Sequence, residues 1–198
     1  MVNKYIAKKH ISDSKMETLS GKQVSNKHLT TVFDMDVDVY TDDGRIIARF
    51  RKGALNNAKA KDFYENVIDF AKINTYSRGE LNGVKKGHRR DITNNKGVKT
   101  NILGYMDGFS PSQKIILKNH DLTTPLSIRE TRFNIDYPEQ WKKCIPFIKD
   151  INTLYKKLFP SHYQKQNKKA KPLTFKIPNT AFTTVTTNVN VTTKIHKD

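Results

Sequence analysis

A chain of 198 residues has room for one domain of ordinary size with a buried core, but only 36% of it is hydrophobic, so part of its surface is expected to stay exposed or to await a partner. Thirty-six Lys and Arg against 19 Asp and Glu give a formal charge of +17, a field that draws polyanions, nucleic acid first and anionic membrane second, unless the lysines only solvate the surface. The single cysteine, Cys144, excludes an internal disulfide and a thiolate metal cluster, and the lack of a long apolar run or signal-type segment points to a soluble, intracellular chain.

Residues 1–30 are polar, rich in Lys and Ser and without periodicity, and read as a flexible basic leader ahead of one domain over 31–198. Val32 to Tyr40 then alternates strictly. Val32, Asp34, Asp36 and Asp38 fall on one parity, and Phe33, Met35, Val37 and Val39 on the other, which predicts a half-buried strand. Asp42-Asp43-Gly44 and the run Arg45 to Arg51 complete a hairpin. The three aspartates could suggest a calcium loop, but their alternation with apolar residues marks a solvated strand face instead.

From Ala54 to Lys72, Phe63, Val67 and Ala71, with Tyr64 and Ile68, recur at four-residue spacing and predict an amphipathic helix. Residues 74–100 have no apolar period. They read as a long basic loop carrying Lys85, Lys86, His88, Arg89 and Arg90, and a loop of that length is usually functional or disordered. Its glycines do not follow a strand at phosphate-loop spacing. Asn101 to Phe109 (NILGYMDGF) predicts a short buried strand.

A second helix is expected to begin near Asp136 or Tyr137, with Pro138 in its first turn, where a missing N–H does no harm. Trp141, Ile145, Ile148, Tyr155 and Leu158 or Phe159 form one stripe, read as core rather than as a base-stacking platform, with Cys144 a buried thiol beside it. Pro146 within the stripe is expected to kink or break the helix. Pro160 to Pro172 reads as a basic connector with Lys165, Lys168, Lys169 and Lys171.

The segment AFTTVTTNVNVTTKI, from Ala181 to Ile195, is dense in Thr and Val and predicts two strands joined by a turn at Asn188 to Asn190. The second strand ends in His196-Lys197-Asp198. Side chains two apart on a strand share a face, so His196 and Asp198 form two parts of a 2-His-1-carboxylate facial triad, the arrangement that suits non-haem Fe(II). As a bare tripeptide it could equally be a polar pair on a frayed terminus; the strands before it carry the reading.

The stretch RETRFNIDYPEQWKKCIPFIKDINTLYKKLFPSHYQKQ, followed by AFTTVTTNVNVTTKIHKD, resembles the Tet/JBP group of Fe(II)- and 2-oxoglutarate-dependent dioxygenases, which oxidise the 5-methyl of thymine or methylcytosine in nucleic acid. SRGELNG and NILGYMDGF are similar to an Arg-Gly loop and a Gly-Tyr/Phe-Asp element of its microbial and viral members, so the likeness covers roughly residues 75–198. The resemblance implies an α+β fold in which helices pack on the start of a double-stranded β-helix (jelly-roll or cupin-like), truncated after its first strands. It implies Fe(II) and 2-oxoglutarate as cofactors, His196 and Asp198 as metal ligands and Arg129 as cofactor-binding, with Arg132 nearby. Lys85, Lys86, Arg89, Arg90, Lys165, Lys168, Lys169 and Lys171 would hold nucleic-acid phosphates, DNA first.

The group's distal His ligand and its 2-oxoglutarate-anchoring Arg or Lys lie further downstream. The chain is therefore expected to be the N-terminal part of such an enzyme, inactive alone, with a C-terminal partner chain as one way of completing the site. The alternatives are a non-catalytic basic nucleic-acid-binding protein and a protein side-chain hydroxylase of the same superfamily.

Overall fold

The computed structural model describes residues 2–22, 31–73, 99–107 and 128–190. The chain divides between Ala54 and Leu55 into two compact units, each taken by itself below.

In the first unit, β1 (Asn3–Ile6) pairs in parallel with β2 (Val37–Tyr40), which pairs antiparallel with β3 (Ile46–Phe50), giving the order β1-β2-β3. The hairpin closes as predicted. The Thr41 N–H donates to the Arg45 carbonyl at 2.7 Å and Gly44 takes φ 82°, the left-handed region that glycine enters without strain. The alternation predicted from Val32 becomes strand only from Val37, where the register with β1 and β3 begins. Asp38 lies between Arg49 (3.3 Å) and Arg51 (2.6 Å), and Asp36 accepts the Lys52 N–H at 2.9 Å. Those carboxylates are thus engaged in holding the hairpin.

Two elements fall inside the stretch read as a leader. β1 is one, and α1 (Asp13–Leu19), whose N-cap Ser12 accepts the Lys15 N–H, is the other. β1 is too short to show a period. It exists because β2 supplies its hydrogen bonds and the Tyr5 ring meets Phe33 edge-on at 5.0 Å.

The second unit is a three-stranded antiparallel sheet with helices against it. α2 (Asn57–Ala71) starts at the N-cap Asn56, whose Oδ1 accepts the Lys59 N–H at 3.0 Å. β4 (Lys99–Asp107) is the central strand of the order β5-β4-β6, between β5 (Ile128–Glu130) and β6 (Thr184–Val189). β6 runs alongside Lys99 to Gly104, and β5 pairs with Tyr105 to Asp107. α3 (Arg132–Asp136), α4 (Pro138–Leu158) and α5 (Pro160–Ala170) follow β5.

The core gathers Val67, Phe70 and Ala71 of α2, Leu103 of β4, Phe133 of α3, Trp141, Cys144 and Ile148 of α4, and Ile177. Phe70, Phe133 and Tyr137 have ring centroids 5.0 to 5.8 Å apart, and Trp141 meets Phe133 edge-on. The stripe read from Trp141 and Ile148 is therefore core.

Three expectations change here. α4 runs unbroken through Pro146, which is exposed, so the carbonyl deprived of its helical partner (that of Lys142) lies on the water side. Pro160 begins a helix where a connector was expected: it occupies the first turn of α5, the position where proline is pre-organised for helix. Strand β6 continues through Asn188 to Val189, and it is Asn190, at φ 55°, that leaves it. The mixed α+β class holds. The basic loop over 74–98 and the second strand of the terminal pair lie outside the described residues.

Candidate functional site

The strand that leads to His196 and Asp198 is held at its start by side chains from two helices. The Ala181 N–H donates to Asn152 Oδ1 of α4 at 2.9 Å, and the Ala181 carbonyl accepts from Gln166 Nε2 of α5 at 2.9 Å. Gln166 Oε1 in turn accepts the Tyr155 hydroxyl at 3.2 Å, and the Tyr155 ring stacks on Phe182 with centroids 6.0 Å apart. Both polar atoms of one peptide position are thus fixed before β6 begins. Thr180 adds a turn: its Oγ1 donates to the Ile177 carbonyl at 2.9 Å and accepts the Phe182 N–H at 3.1 Å.

β4 then holds β6 along its length. Gly104 is the point where β4 changes partner, with φ 99°, and a Cβ there would stand 2.5 Å from the Thr183 carbonyl oxygen. Its N–H donates to Asn134 Oδ1 at 3.0 Å, its carbonyl accepts the Thr131 N–H at 2.9 Å, and the next residue, Tyr105, donates its N–H to the Thr183 carbonyl at 2.8 Å. Asn134 Oδ1 also accepts from Thr131 Oγ1, while its buried Nδ2 has no partner. Further along, Asn101 Nδ2 reaches the carbonyls of Phe70, Ala71 and Ile73 at 3.0 to 3.2 Å, closing the C-terminal end of α2 onto β4.

These buried asparagines escape a reading based on apolar periodicity. The signal available in the sequence is only that Asn101, Asn134 and Asn152 each stand next to an apolar residue within a strand or helix of mixed composition. A buried amide persists there when it is hydrogen-bonded.

His196 and Asp198, the predicted metal ligands, lie outside the described residues, as do Lys85, Lys86, Arg89 and Arg90. Among the described residues no group of three or more His, Cys, Asp or Glu could hold a metal ion. An imidazole and a carboxylate are the right donor types for Fe(II). Arg129 lies on β5 with its main chain opposite Met106. Arg132 is committed elsewhere: its Nε pairs with Asp136 at 2.7 Å on the surface of α3, and that carboxylate raises its pKa.

Of the predicted phosphate-binding lysines, three are brought together. Lys165, Lys168 and Lys169 are all exposed on α5 at the i, i+3, i+4 spacing that places side chains on one helical face. The opposite face carries the half-buried Tyr163 and the buried Ala170. Lys171 is the exposed C-cap, and Lys176 Nζ donates to its carbonyl at 3.4 Å. Between Asp150 and Asp198 the sequence has no acidic residue at all.

Two other groups bear on chemistry. Burial, with a smaller contribution from Asp62, pushes the Cys144 thiol up to about 12, which makes it a packing group rather than a nucleophile. Tyr105, half-buried at the end of β4, is raised by desolvation and then by the neighbouring Glu130 carboxylate, so its hydroxyl stays protonated. No helix among the described residues is long and apolar enough to cross a membrane.

Residues 116–198 match a family profile described as the oxygenase domain of the 2OGFeDO superfamily, of Tet/JBP type. The chain is also 28% identical over 199 aligned residues to the bifunctional helicase and thymine dioxygenase JBP2 of Trypanosoma cruzi. That alignment takes in 92% of this chain and 16% of the relative, so the chain spans about one sixth of the curated protein it matches. No solved structure matches it.

Proposed function

We propose that this chain contributes to an Fe(II)- and 2-oxoglutarate-dependent dioxygenase that hydroxylates the 5-methyl of a pyrimidine in nucleic acid, the oxygenase-domain match over residues 116–198 being the observation that carries the reading. His196 and Asp198 would hold the metal, as imidazole and carboxylate donors. Iron with 2-oxoglutarate supplies oxidation of an unactivated C–H bond, chemistry that no side chain provides.

What the chain itself does is positional. Asn152 and Gln166 fix the residue from which β6 departs, and β4 fixes the register of β6, the strand that precedes the His-x-Asp segment in the chain. On this reading β4, β5 and β6 are the first strands of the double-stranded β-helix. Arg129 is a candidate for the cofactor side of the site, and the third metal ligand comes from outside the described residues, a partner chain being one source. Thymine is the favoured base because the Trypanosoma cruzi relative is named for thymine oxidation. DNA is the favoured nucleic acid, and a base within a duplex would have to leave the stack to reach the metal.

The test is Mn(II) binding followed by electron paramagnetic resonance, with succinate release on thymine- and 5-methylcytosine-containing oligonucleotides. Metal binding lost in both His196→Ala and Asp198→Ala, with succinate release following the same pattern, supports the reading. Metal binding untouched by both substitutions sinks it, and favours a non-catalytic basic nucleic-acid-binding protein. Turnover on peptides but not on oligonucleotides would identify a protein hydroxylase instead.

A further inference from the structure

We infer that the exposed face of α5 is a rigid phosphate-binding ridge that engages a nucleic-acid backbone through Lys165, Lys168 and Lys169, independently of base sequence; this deepens the nucleic-acid part of the reading above. Three observations carry it. The lysines stand on one face of a folded helix rather than on a loose connector, so their spacing is fixed: four residues of α-helix advance about 6 Å along the axis. The face they leave behind is anchored, through Tyr163 against the Tyr155 ring at 5.8 Å and Gln166 on the Ala181 carbonyl.

The third observation is the absence of competition. Four lysines elsewhere among the described residues do stand beside carboxylates: Lys9 beside Asp13, Lys61 beside Glu65, Lys142 beside Glu139 and Lys59 beside Asp150. No carboxylate occurs in sequence between Asp150 and Asp198, and among the described residues no lysine of α5 forms an ion pair. A fixed row of unneutralised ammonium groups is complementary to a polyanion with regularly repeating charge. Point-like ammonium groups on flexible stems contact phosphates without reading base edges.

The experiment measures the affinity of the whole chain for a random-sequence duplex of about 20 base pairs as a function of salt. Each phosphate neutralised contributes about 0.9 to the slope of log K against log salt on duplex DNA. The triple variant Lys165→Gln/Lys168→Gln/Lys169→Gln is expected to lower that slope by about 2 to 3, equally on oligonucleotides of different sequence. The comparison is Lys9→Gln/Lys61→Gln/Lys142→Gln, which removes the same net charge from lysines already beside carboxylates, and it should change the slope by less than about 1.

Equal slopes for the two triple variants would overturn the ridge and leave only diffuse attraction. A wild-type chain with no salt-dependent duplex binding would overturn it as well. Neither result touches metal binding by His196 and Asp198, so failure of the ridge and failure of the oxygenase reading are told apart. Far-ultraviolet circular dichroism confirms that the substitutions, all at exposed positions, leave α5 folded.

Discussion

Replacing Gly104 by alanine tests whether the partner change in β4 organises the second unit. Two costs add. The φ of 99° is a region that L-residues avoid, costing about 1 to 2 kcal/mol. The new methyl would also stand 2.5 Å from the Thr183 carbonyl oxygen and 3.3 Å from Thr184 Cα, both of them backbone. Relief to an ordinary contact of 3.4 Å requires β4 and β6 to separate by 3.4 − 2.5 = 0.9 Å. The Tyr105 N–H to Thr183 carbonyl bond, now 2.8 Å, would then stretch beyond hydrogen-bond range. Overpacking typically costs about 1 to 3 kcal/mol and the lost bond about 1 kcal/mol. The expected destabilisation is therefore about 3 to 6 kcal/mol.

Urea unfolding followed by Trp141 fluorescence reports on this unit, because the only Trp of the sequence lies in its core. Without the close approach only the conformational part, about 1 to 2 kcal/mol, would appear. A Gly104→Ala loss no larger than that would refute the close-approach argument and the register that rests on it.

Asn152→Ala removes the acceptor of the buried Ala181 N–H. It is expected to cost about 1 to 3 kcal/mol, the penalty of an unsatisfied buried donor, measured by the same unfolding assay. Cys144 makes a pH prediction. Its folded pKa, about 12, lies above its ordinary value of 9.0, so the folded state holds the proton longer than the unfolded chain does. The stability this gives is full below about pH 9 and is lost as pH rises toward 12. Wild type should thus lose stability between pH 8 and pH 10 relative to Cys144→Ala, and native protein at pH 8 should react with a thiol reagent only on unfolding. Prompt labelling of the native chain would contradict the burial.

The parts of the fold legible in the sequence were those written in local period. Val67 with Ala71, and Trp141 with Ile148, mark helix faces because a four- or seven-residue recurrence has one simple cause, and the buried thiol of Cys144 follows from its place on the same face. Pro146 misled because its cost depends on which side of the helix it occupies, and only the fold decides that. α5 was hidden by composition: Pro160 and Pro172 bracket a run of Gln, Lys and Asn with few apolar residues, although Gln, Lys and Ala are good helix formers and Pro160 is a start signal. β1 was hidden by distance, since its partner is more than 30 residues away. Of the candidate site, the asparagines that fix β6 and its neighbours could not be read, because each acts on a backbone group remote in sequence.

That division bears on how placement of a nucleic acid could reach the chemistry. α5 carries the lysine row on one side, and from its packed part Gln166 holds the Ala181 carbonyl. Asn152 of α4 holds the other end of the same residue, and α4 passes to α5 through Phe159 alone. A backbone seated on Lys165, Lys168 and Lys169 would therefore be referenced, through one helix and two side-chain amides, to the residue from which β6 departs. Helix and strand are stiff on the scale of these bonds, so the reference survives only while α5 is folded and its packed face is occupied. A flexible basic connector would supply the same charge and the same salt dependence without any such reference.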